Sequence, residues 1–384
     1  MTSIEEGTFY NCSALKSIKI PEGVTSIGDD AFYRCSDLMS AIIPNTVTTI
    51  GKYAFSYCKS LTAITIPEGV ATIGDHAFDD CDGLTSVTIN LSDAMRSIGW
   101  QAFDCLNLKE LYINTNNIGA WCNISFDRAF ANPMNLTETI YINGNKIKDV
   151  VIPDGVTSIK DYAFCNCKGL TSVTLPEGVA SIGESAFYGC TDLTSINLPS
   201  SVKAIGTEAF SVCNALTSIT IPDGVTIIEP STFEKCYELK SVTIPNSVTE
   251  IGTAAFKYCP LTSINIPNSV ATIGNNAFQY GNFTSLNIPG SATRVGNEAF
   301  ADCENLTSVN IEEGVILIGR RTFQDCVNLR HITIPSSLIC IGNDIFNGDN
   351  NLTDIRSFAL IPPELQTTYR LRLQTWEVSE PVCS

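Results

Sequence analysis

Aromatic and acidic side chains concentrate in one irregular stretch of the chain, between residues 110 and 149. Tyr112, Tyr141 and Trp121 supply rings there, and Glu110 and Asp149 supply carboxylates. Rings offer rigid apolar area and carboxylates direct hydrogen bonds, so the combination suits sugars or peptide side chains. We therefore expect these five residues to form a ligand-binding site, with the two tyrosines exposed. The alternative is that Trp121 only fills a distorted part of the core.

A serine, a histidine and an aspartate follow one another at intervals of 23 residues, at Ser308, His331 and Asp354. Residues of these types can form a hydrolase triad, but a triad also requires an oxyanion hole, a buried orienting carboxylate and a substrate pocket. An open polar surface supplies none of these by itself. We therefore predict that the chain has no catalytic residues and is not an enzyme.

The sixteen cysteines do not have the spacing of a disulfide framework or of a metal site. Eleven of them follow a phenylalanine by three residues, so their spacing belongs to a repeat. Clustered C-x-x-C pairs are absent, and the acidic run at 79–82 lacks the distal glutamate of a calcium loop. We predict buried thiols that act as small apolar fillers, with no metal and no cofactor.

An internal repeat positions all of these residues. The clean copy at 170–192, LTSVTLPEGVASIGESAFYGCTD, gives the unit L-x-x-I-x-I-P-x-x-V-x-x-I-G-x-x-A-F-x-x-C-x-x. Repeats of about 20–29 residues with this Leu/Ile spacing stack as leucine-rich repeats in a solenoid. Fifteen of the 18 phenylalanines mark the repeat, at positions 9, 32, 55, 78, 103, 130, 164, 187, 210, 233, 256, 278, 300, 323 and 346.

Each repeat predicts one coil of an α/β leucine-rich-repeat solenoid. Leu170, Val173 and Leu175 alternate with polar residues, which indicates a short parallel β-strand on the concave face. Proline at the next position ends that strand because it lacks a backbone donor. Gly183 permits a tight corner where a Cβ would crowd. The segment 185–190 is predicted to form a short helical turn on the convex side.

The spacing of the repeat divides the chain into four parts of one solenoid. Residues 1–103 are regular repeats that start in mid-repeat, and 104–152 are irregular interrupting repeats. Residues 153–351 are regular again, and 352–384 are expected to form a C-terminal capping segment.

The charge of the chain excludes some partners. Forty acidic against 23 basic side chains give a net charge of −17, and such a surface repels nucleic-acid phosphates. The sequence has no apolar run long enough to span a bilayer, so we predict no membrane insertion. The first residues have neither the basic nor the apolar region of a signal peptide. Proteins and glycans are the remaining candidate ligands.

The repeat unit closely resembles the BspA-like subclass of leucine-rich repeats, of the gut-bacterial type. The I-P, I-G-x-x-A-F and C positions carry this resemblance over nearly the whole chain. LYINTNNIGAWCNISFDRAFANPMN and IYINGNKIKDVVIPDGVTSIKDYAF resemble the interrupting unit of gut-bacterial members, and SFALIPPEL resembles their closing segment.

The resemblance implies a function and a location. Proteins of this family are secreted or displayed on the cell surface, non-catalytic, and implicated in adhesion to host matrix proteins, glycans or other cells. It therefore implies an extracellular adhesion module that binds through its concave strand face. One alternative is a structural spacer with no ligand of its own. Another is ice binding by the serine and threonine columns, which the asparagines at 197, 265, 287 and 310 disfavour.

Overall fold

The computed structural model describes residues 2–357, which belong to two compact units, Met1–Leu193 and Thr194–Ser384. Both units consist of short strands joined by tight turns. The first unit contains β1 (Ser3–Ile4), β2 (Ser17–Lys19), β3 (Ser26–Ile27), β4 (Ser40–Ile42), β5 (Thr49–Ile50), β6 (Ala63–Ile66), β7 (Thr72–Ile73), β8 (Ser86–Asn90), β9 (Ser97–Ile98), β10 (Glu110–Asn114), helix α1 (Gly119–Cys122), β11 (Ser125–Phe126), 3₁₀ turns Ala129–Ala131 and Pro133–Asn135, β12 (Thr139–Ile142), β13 (Asn145–Lys146), β14 (Asp149–Val151), β15 (Ser158–Ile159), β16 (Ser172–Thr174) and β17 (Ser181–Ile182).

The second unit repeats the same two kinds of strand. It contains β18 (Ser195–Asn197), β19 (Ala204–Ile205), β20 (Ser218–Thr220), β21 (Ile227–Ile228), β22 (Ser241–Thr243), β23 (Glu250–Ile251), β24 (Thr272–Ile273), β25 (Ser285–Ile288), β26 (Arg294–Val295), β27 (Ser308–Ile311), β28 (Leu317–Ile318), β29 (His331–Ile334), β30 (Cys340–Ile341) and β31 (Asp354–Ser357).

Most regular coils contribute one strand to each of two parallel sheets, whereas the coil that contains β24 contributes only that short strand. We call the strands that begin the repeat, such as β6, β8 and β10, front strands, and the two-residue strands that precede its glycine, such as β7 and β9, back strands. In the first unit the back strands pair in the order β1-β3-β5-β7-β9-β11, and the front strands include β6-β8-β10-β12. In the second unit β21-β23-β24-β26-β28-β30 form a back sheet, and β25-β27-β29-β31 form a front sheet. The predicted parallel-strand solenoid of leucine-rich repeats is confirmed.

The core of each coil is built from the apolar columns of the repeat. Phe32, Phe55 and Phe78 are fully buried, and their rings stack with centroids 4.9 and 5.1 Å apart. In the second unit Phe210 and Phe233 stack in the same way at 5.6 Å. Phe9 and Phe346 are only partly buried, and Phe130 is 53% exposed because it lies on a 3₁₀ turn of the irregular stretch.

The predicted helical turn is wrong, because tight turns occupy its place. Within Ser185–Cys190, the Tyr188 N–H donates to the Ser185 carbonyl at 3.1 Å, three residues back, and Ser185 has a φ of +49°. The Phe164 N–H of the preceding coil donates to the Ala186 carbonyl at 2.7 Å. A helix would keep its hydrogen bonds inside the segment, whereas these turns share theirs with the neighbouring coil.

The cysteine column is buried, as predicted, except for the exposed Cys12, and it also forms hydrogen bonds. Cys58 Sγ donates to the Phe32 carbonyl at 3.3 Å, and Cys236 Sγ donates to the Phe210 carbonyl at 3.2 Å. Burial raises the pKa of Cys122 to about 12. The cysteines within residues 2–357 are thiols, with no disulfide among them.

Some expectations fall outside what the structure describes. Nearly all of the expected capping segment 352–384 lies beyond Ser357, the last described residue. A single solenoid that runs through both units stays a prediction. No helix within residues 2–357 is long and apolar enough to cross a membrane.

Candidate functional site

Tyr112 and Tyr141 form an aromatic pair on adjacent front strands of the first unit. They are partners in the parallel register of β10 and β12, and both lie at partly exposed positions. Their ring centroids are 4.7 Å apart, and the planes differ by 7°. Adjacent strands in a sheet are about 4.8 Å apart, so the register alone brings the two rings into contact. The parallel register places both tyrosines on one face of the sheet, and their role in ligand binding stays a prediction.

The neighbouring front strands leave space beside this pair. Thr88 and Thr65 occupy the positions equivalent to Tyr112 on β8 and β6. Threonine is too short to cover a tyrosine ring, so the side of the Tyr112 ring that faces away from Tyr141 borders a shallow shelf of hydroxyl groups. Such a shelf combines apolar area with hydrogen-bonding groups, as sugar-binding and peptide-binding sites do.

Glu110 accepts a hydrogen bond from one hydroxyl of the tyrosine pair. The Tyr112 hydroxyl donates to Glu110 Oε2 at 2.9 Å. This hydrogen bond is the main reason why the pKa of Tyr112 lies above its ordinary value. Asn114 lies further along the same strand and donates from Nδ2 to Asn90 Oδ1 at 3.0 Å. A carboxylate, a phenol and an amide therefore line one edge of the face.

A hairpin ends the front sheet next to the tyrosines. β13 runs antiparallel to β12, with Lys146 opposite Tyr141. Asn143 and Gly144 make the turn at φ +50° and +77°, the left-handed conformation that two-residue hairpins require. The Asn143 side chain also bridges back to Thr115, accepting from its N–H and donating to its carbonyl, both at 2.8 Å. These bonds fix the hairpin against the end of β10.

Trp121 lies in the core and does not join the tyrosines. Its side chain is fully buried on α1, and Nε1 donates to the Ala163 carbonyl at 2.7 Å. The ring contacts Phe126 with centroids 5.6 Å apart. This placement is the one expected of a residue that fills an irregular part of the stack.

Asp149 belongs to a different pair of strands. It lies on β14, which pairs with β16 beyond the hairpin. Its Oδ1 accepts from Ser172 Oγ at 2.7 Å and from Thr171 Oγ1 at 3.0 Å. The Ser172 bond first, and then the Thr171 bond, lower the pKa of this carboxyl. The front strands therefore bring Glu110 to the tyrosine pair but place Asp149 on a separate sheet.

A cleft of about 330 Å³ opens on the back of the first unit, where the sheet is interrupted. The back sheet ends at β11 and resumes at β15, and Lys160 lies on the wall of the gap. Lys160 stands where the regular repeats have glycine, as Gly183 does one coil later. Its N–H donates at 3.0 Å to Cys122, the last residue of α1. The irregular coil that contains α1 therefore leaves room for a side chain at position 160.

Ser308, His331 and Asp354 are in register on β27, β29 and β31. His331 Nδ1 lies 3.3 Å from Asp354 Oδ2, and these side chains are 59% and 39% exposed. Arg356 Nε also lies 3.4 Å from the same carboxylate oxygen. The carboxylate is thus solvated and shared with an arginine, unlike the buried orienting group of a hydrolase triad.

The repeat columns and their registers match one known family. The family model described as "BspA type Leucine rich repeat region (6 copies)" matches residues 2–136, 134–260 and 226–353. The chain belongs to this family of BspA-type leucine-rich-repeat proteins. Solenoids of this class present extended surfaces to partner macromolecules. The family assignment therefore supports a binding module and leaves the ligand open.

Two solved structures of leucine-rich-repeat proteins are similar to this chain. A leucine-rich repeat protein from Bacteroides ovatus is 26% identical, with 92% of this chain and 82% of that chain covered and a TM-score of 0.45. A leucine rich cell surface protein from Faecalibacterium prausnitzii is 27% identical, with 90% and 88% covered and a TM-score of 0.45. No curated protein sequence matches the chain significantly.

The turns of this BspA-type chain carry a second aromatic surface, which column counting along the repeat did not reveal. Its rings occupy four different repeat positions, so no single column collects them. Two of those positions lie two residues before and two residues after the buried phenylalanine. We call this surface the aromatic edge, and it consists of Tyr10, Tyr33, Tyr53, Tyr57, His76 and Trp100.

Proposed function

We propose that the chain is a non-catalytic adhesion module of a secreted or cell-surface protein. In this proposal, it binds host matrix proteins, glycans or other cells through the front strands. The observation that carries the proposal is the stacked pair of Tyr112 and Tyr141, partly exposed beside a shelf of threonines. Paired rings with adjacent hydrogen-bonding groups provide area and direction for a ligand without any reactive centre.

The regular spacing of the front strands favours an extended ligand. Successive strands repeat about every 4.8 Å, so equivalent side chains present a periodic row of polar groups. In the first unit this row includes Thr65, Thr88, Tyr112 and Tyr141. A polysaccharide or an extended protein segment lying along the row would reach several coils at once.

Two observations support an extracellular location for this chain: the family resemblance and one similar protein. The family resemblance implies secretion or surface display. The relative from Faecalibacterium prausnitzii is described as a cell surface protein. We infer the same location for this chain.

An array of host matrix proteins, mucin glycans and bacterial polysaccharides tests the proposal directly. We expect the wild-type chain to bind at least one of these three classes of ligand. The Tyr112→Ala/Tyr141→Ala variant should bind the same ligand with an affinity at least about tenfold lower. The matched control is Tyr258→Ala/Tyr280→Ala, which removes another stacked tyrosine pair, with centroids 4.4 Å apart, from a turn of the second unit. Circular dichroism would establish that each variant is folded.

The outcomes separate the candidate functions. Loss in the front-strand variant with retention in the control supports recognition at the tyrosine pair. Equal binding by both variants places recognition elsewhere and contradicts the assignment to this pair. If folded wild-type protein bound none of the arrayed ligands, the result would favour a structural spacer.

A further inference from the structure

The aromatic edge is a continuous chain of ring contacts along the turns of the first unit. Tyr10 stacks on Tyr33 with centroids 5.1 Å apart, and Tyr53 stacks on His76 at 4.8 Å. Tyr33 also contacts Tyr53 at 6.4 Å, and His76 contacts Trp100 at 5.1 Å. The contacts therefore continue without interruption over five successive coils, a length of about 20 Å at the spacing of adjacent strands.

Three rings of this edge are exposed to solvent, whereas the His76 side chain is only 14% exposed. Tyr10, Tyr53 and Trp100 are 52%, 37% and 39% exposed. The Tyr53–His76 planes differ by only 2°, whereas the His76–Trp100 planes differ by 74°. Because stacked and perpendicular pairs alternate, both ring edges and ring faces reach the surface. A contiguous exposed aromatic patch on a soluble protein is typical of an interaction site.

Three of these rings also occupy backbone positions that favour other residues. Tyr53 and His76 have φ values of +55° each, and Tyr57 has a φ of +61°. Asparagine or glycine adopts this left-handed conformation at lower cost than an aromatic residue does. The corresponding position is Asp30 one coil earlier, with the same φ of +55°. The local conformation therefore gives no reason for an aromatic ring there, and a binding role does.

Carboxylates lie around the aromatic edge, and Arg34 of this chain already lies over two of the edge's rings. Asp30 and Asp79 both have pKa values above the ordinary range, first because of burial and then because of neighbouring carboxylates. The Arg34 guanidinium lies 5.2 Å from the Tyr33 ring centroid and 5.3 Å from that of Tyr57. Exposed aromatic rings beside carboxylates suit a guanidinium group, through cation–π contact and ion pairing together.

We propose that the aromatic edge docks an extended, arginine-bearing segment of a partner protein. The partner's guanidinium groups lie against the exposed rings of Tyr53 and Trp100, which are joined by the His76 ring, whose Nδ1 lies 2.9 Å from Asp79 Oδ2. A strand-like segment of about six residues covers the length of the edge, since an extended chain advances about 3.3 Å per residue. The site lies on the turns and does not depend on the function proposed for the front strands.

The test measures binding of the full chain to a synthetic peptide of about nine alternating arginine and glycine residues. Isothermal titration calorimetry at about 50 mM NaCl compares wild type with the triple variant Tyr53→Asn/His76→Asn/Trp100→Ala. We expect the variant to bind at least about tenfold more weakly. Asparagine accepts a positive φ, so the first two substitutions are compatible with the backbone. Circular dichroism and thermal unfolding establish that the variant is folded.

Two controls distinguish the aromatic contacts from general attraction to an acidic protein. The triple variant keeps all acidic side chains, so a purely electrostatic interaction would survive in it. Binding that is equal in wild type and the triple variant would therefore overturn the proposal. The Tyr112→Ala/Tyr141→Ala variant should bind the peptide as wild type does, because its substitutions lie on the front strands. An equal loss in that variant would also contradict the site.

Two further probes test the chemistry of the ligand. The matching lysine–glycine peptide should bind severalfold more weakly, because guanidinium stacks on aromatic rings better than ammonium does. Equal binding of both peptides would contradict the role of stacking. A neutral xylohexaose should show no binding that depends on the edge. If the sugar instead lost affinity in the triple variant while the arginine peptide did not, the edge would be a glycan site.

Discussion

The phenylalanine of each repeat is the residue on which the packing of a coil depends most. Phe210 is fully buried and lies parallel to Phe233, with ring planes 4° apart. Its carbonyl accepts a hydrogen bond from the thiol of Cys236 in the next coil. Because one ring contacts the next, removing a single ring leaves a cavity between two coils.

We expect Phe210→Ala to lower the free energy of unfolding by about 3–5 kcal/mol, the range found for buried phenylalanines. Phe130→Ala is the matched control, since Phe130 marks the same repeat position but is 53% exposed. It should change the free energy of unfolding by less than about 1 kcal/mol. Chemical denaturation monitored by circular dichroism measures both. A loss below about 1 kcal/mol for Phe210→Ala would contradict the packing described for this column.

Strands and turns pack closely enough that most regular coils carry glycine in one column of the repeat, where Glu229 is an exception. A Cβ on Gly183 would lie 2.5 Å from the backbone nitrogen of Asp161 and 2.8 Å from the carbonyl carbon of Lys160. Both atoms belong to the backbone of the preceding coil, so they cannot move aside as a flexible side chain would. The irregular coil before β15 lacks this constraint, and Lys160 occupies the same position there.

We therefore expect Gly183→Ala to destabilise the protein by about 1–3 kcal/mol through overpacking. Lys160→Ala is the control in the same column, and its effect should stay within about 0.5 kcal/mol because the lysine is exposed and a Cβ is already present. The midpoints of urea denaturation would measure the difference. Equal effects of the two substitutions would show that the regular coils do not constrain this position.

The elements also show where prediction from sequence succeeds and where it stops. Repeat spacing predicts the parallel strands and the register of Tyr112 with Tyr141, because each coil must align its columns with the next. It fails at Ser185–Cys190, since the hydrogen bonds that replace a helix run between coils and leave no mark in the pattern of one coil. Trp121 and Asp149 lie in or just after the irregular stretch, where no column fixes the direction of a side chain. The aromatic edge was missed because its rings occupy several repeat positions.

The whole molecule carries a net charge of −17, so its stability depends on where the carboxylates lie. Most of them are exposed on turns, and Asp75 has its pKa lowered chiefly by a hydrogen bond from Lys52. Asp349 differs, because it occupies the buried position that cysteine fills in most coils and is only 6% exposed. Burial, with a contribution from the charge of Asp325, raises its pKa to about 8.

A buried carboxyl with a raised pKa makes the stability of the protein fall as the pH rises. Between pH values of about 4 and 8, the folded chain keeps the Asp349 proton and the unfolded chain has lost it. The folded state then binds more protons, so the free energy of unfolding decreases by up to about 1.4 kcal/mol per pH unit. Groups with lowered pKa values, such as Asp75 and Glu313, act in the opposite sense, and their contribution is lost below this window. Asp30 and Asp79, whose pKa values are also raised, act in the same sense as Asp349, and we expect Asp349, the most deeply buried of the three, to contribute most to the slope.

Asp349→Asn removes the titrating group and should reduce this slope while raising stability at a pH of about 8. Asp37→Asn changes the net charge equally at an exposed site and should leave the slope as in wild type. Urea denaturation at intervals from a pH of about 4 to about 8 gives the free energy of unfolding of all three proteins. Parallel curves for wild type and Asp349→Asn would mean that the charge of the whole surface sets the pH dependence. If the curves of wild type and Asp349→Asn instead converge toward a pH of about 4, where Asp349 becomes protonated in the unfolded state as well, the pH dependence comes from this one buried carboxyl.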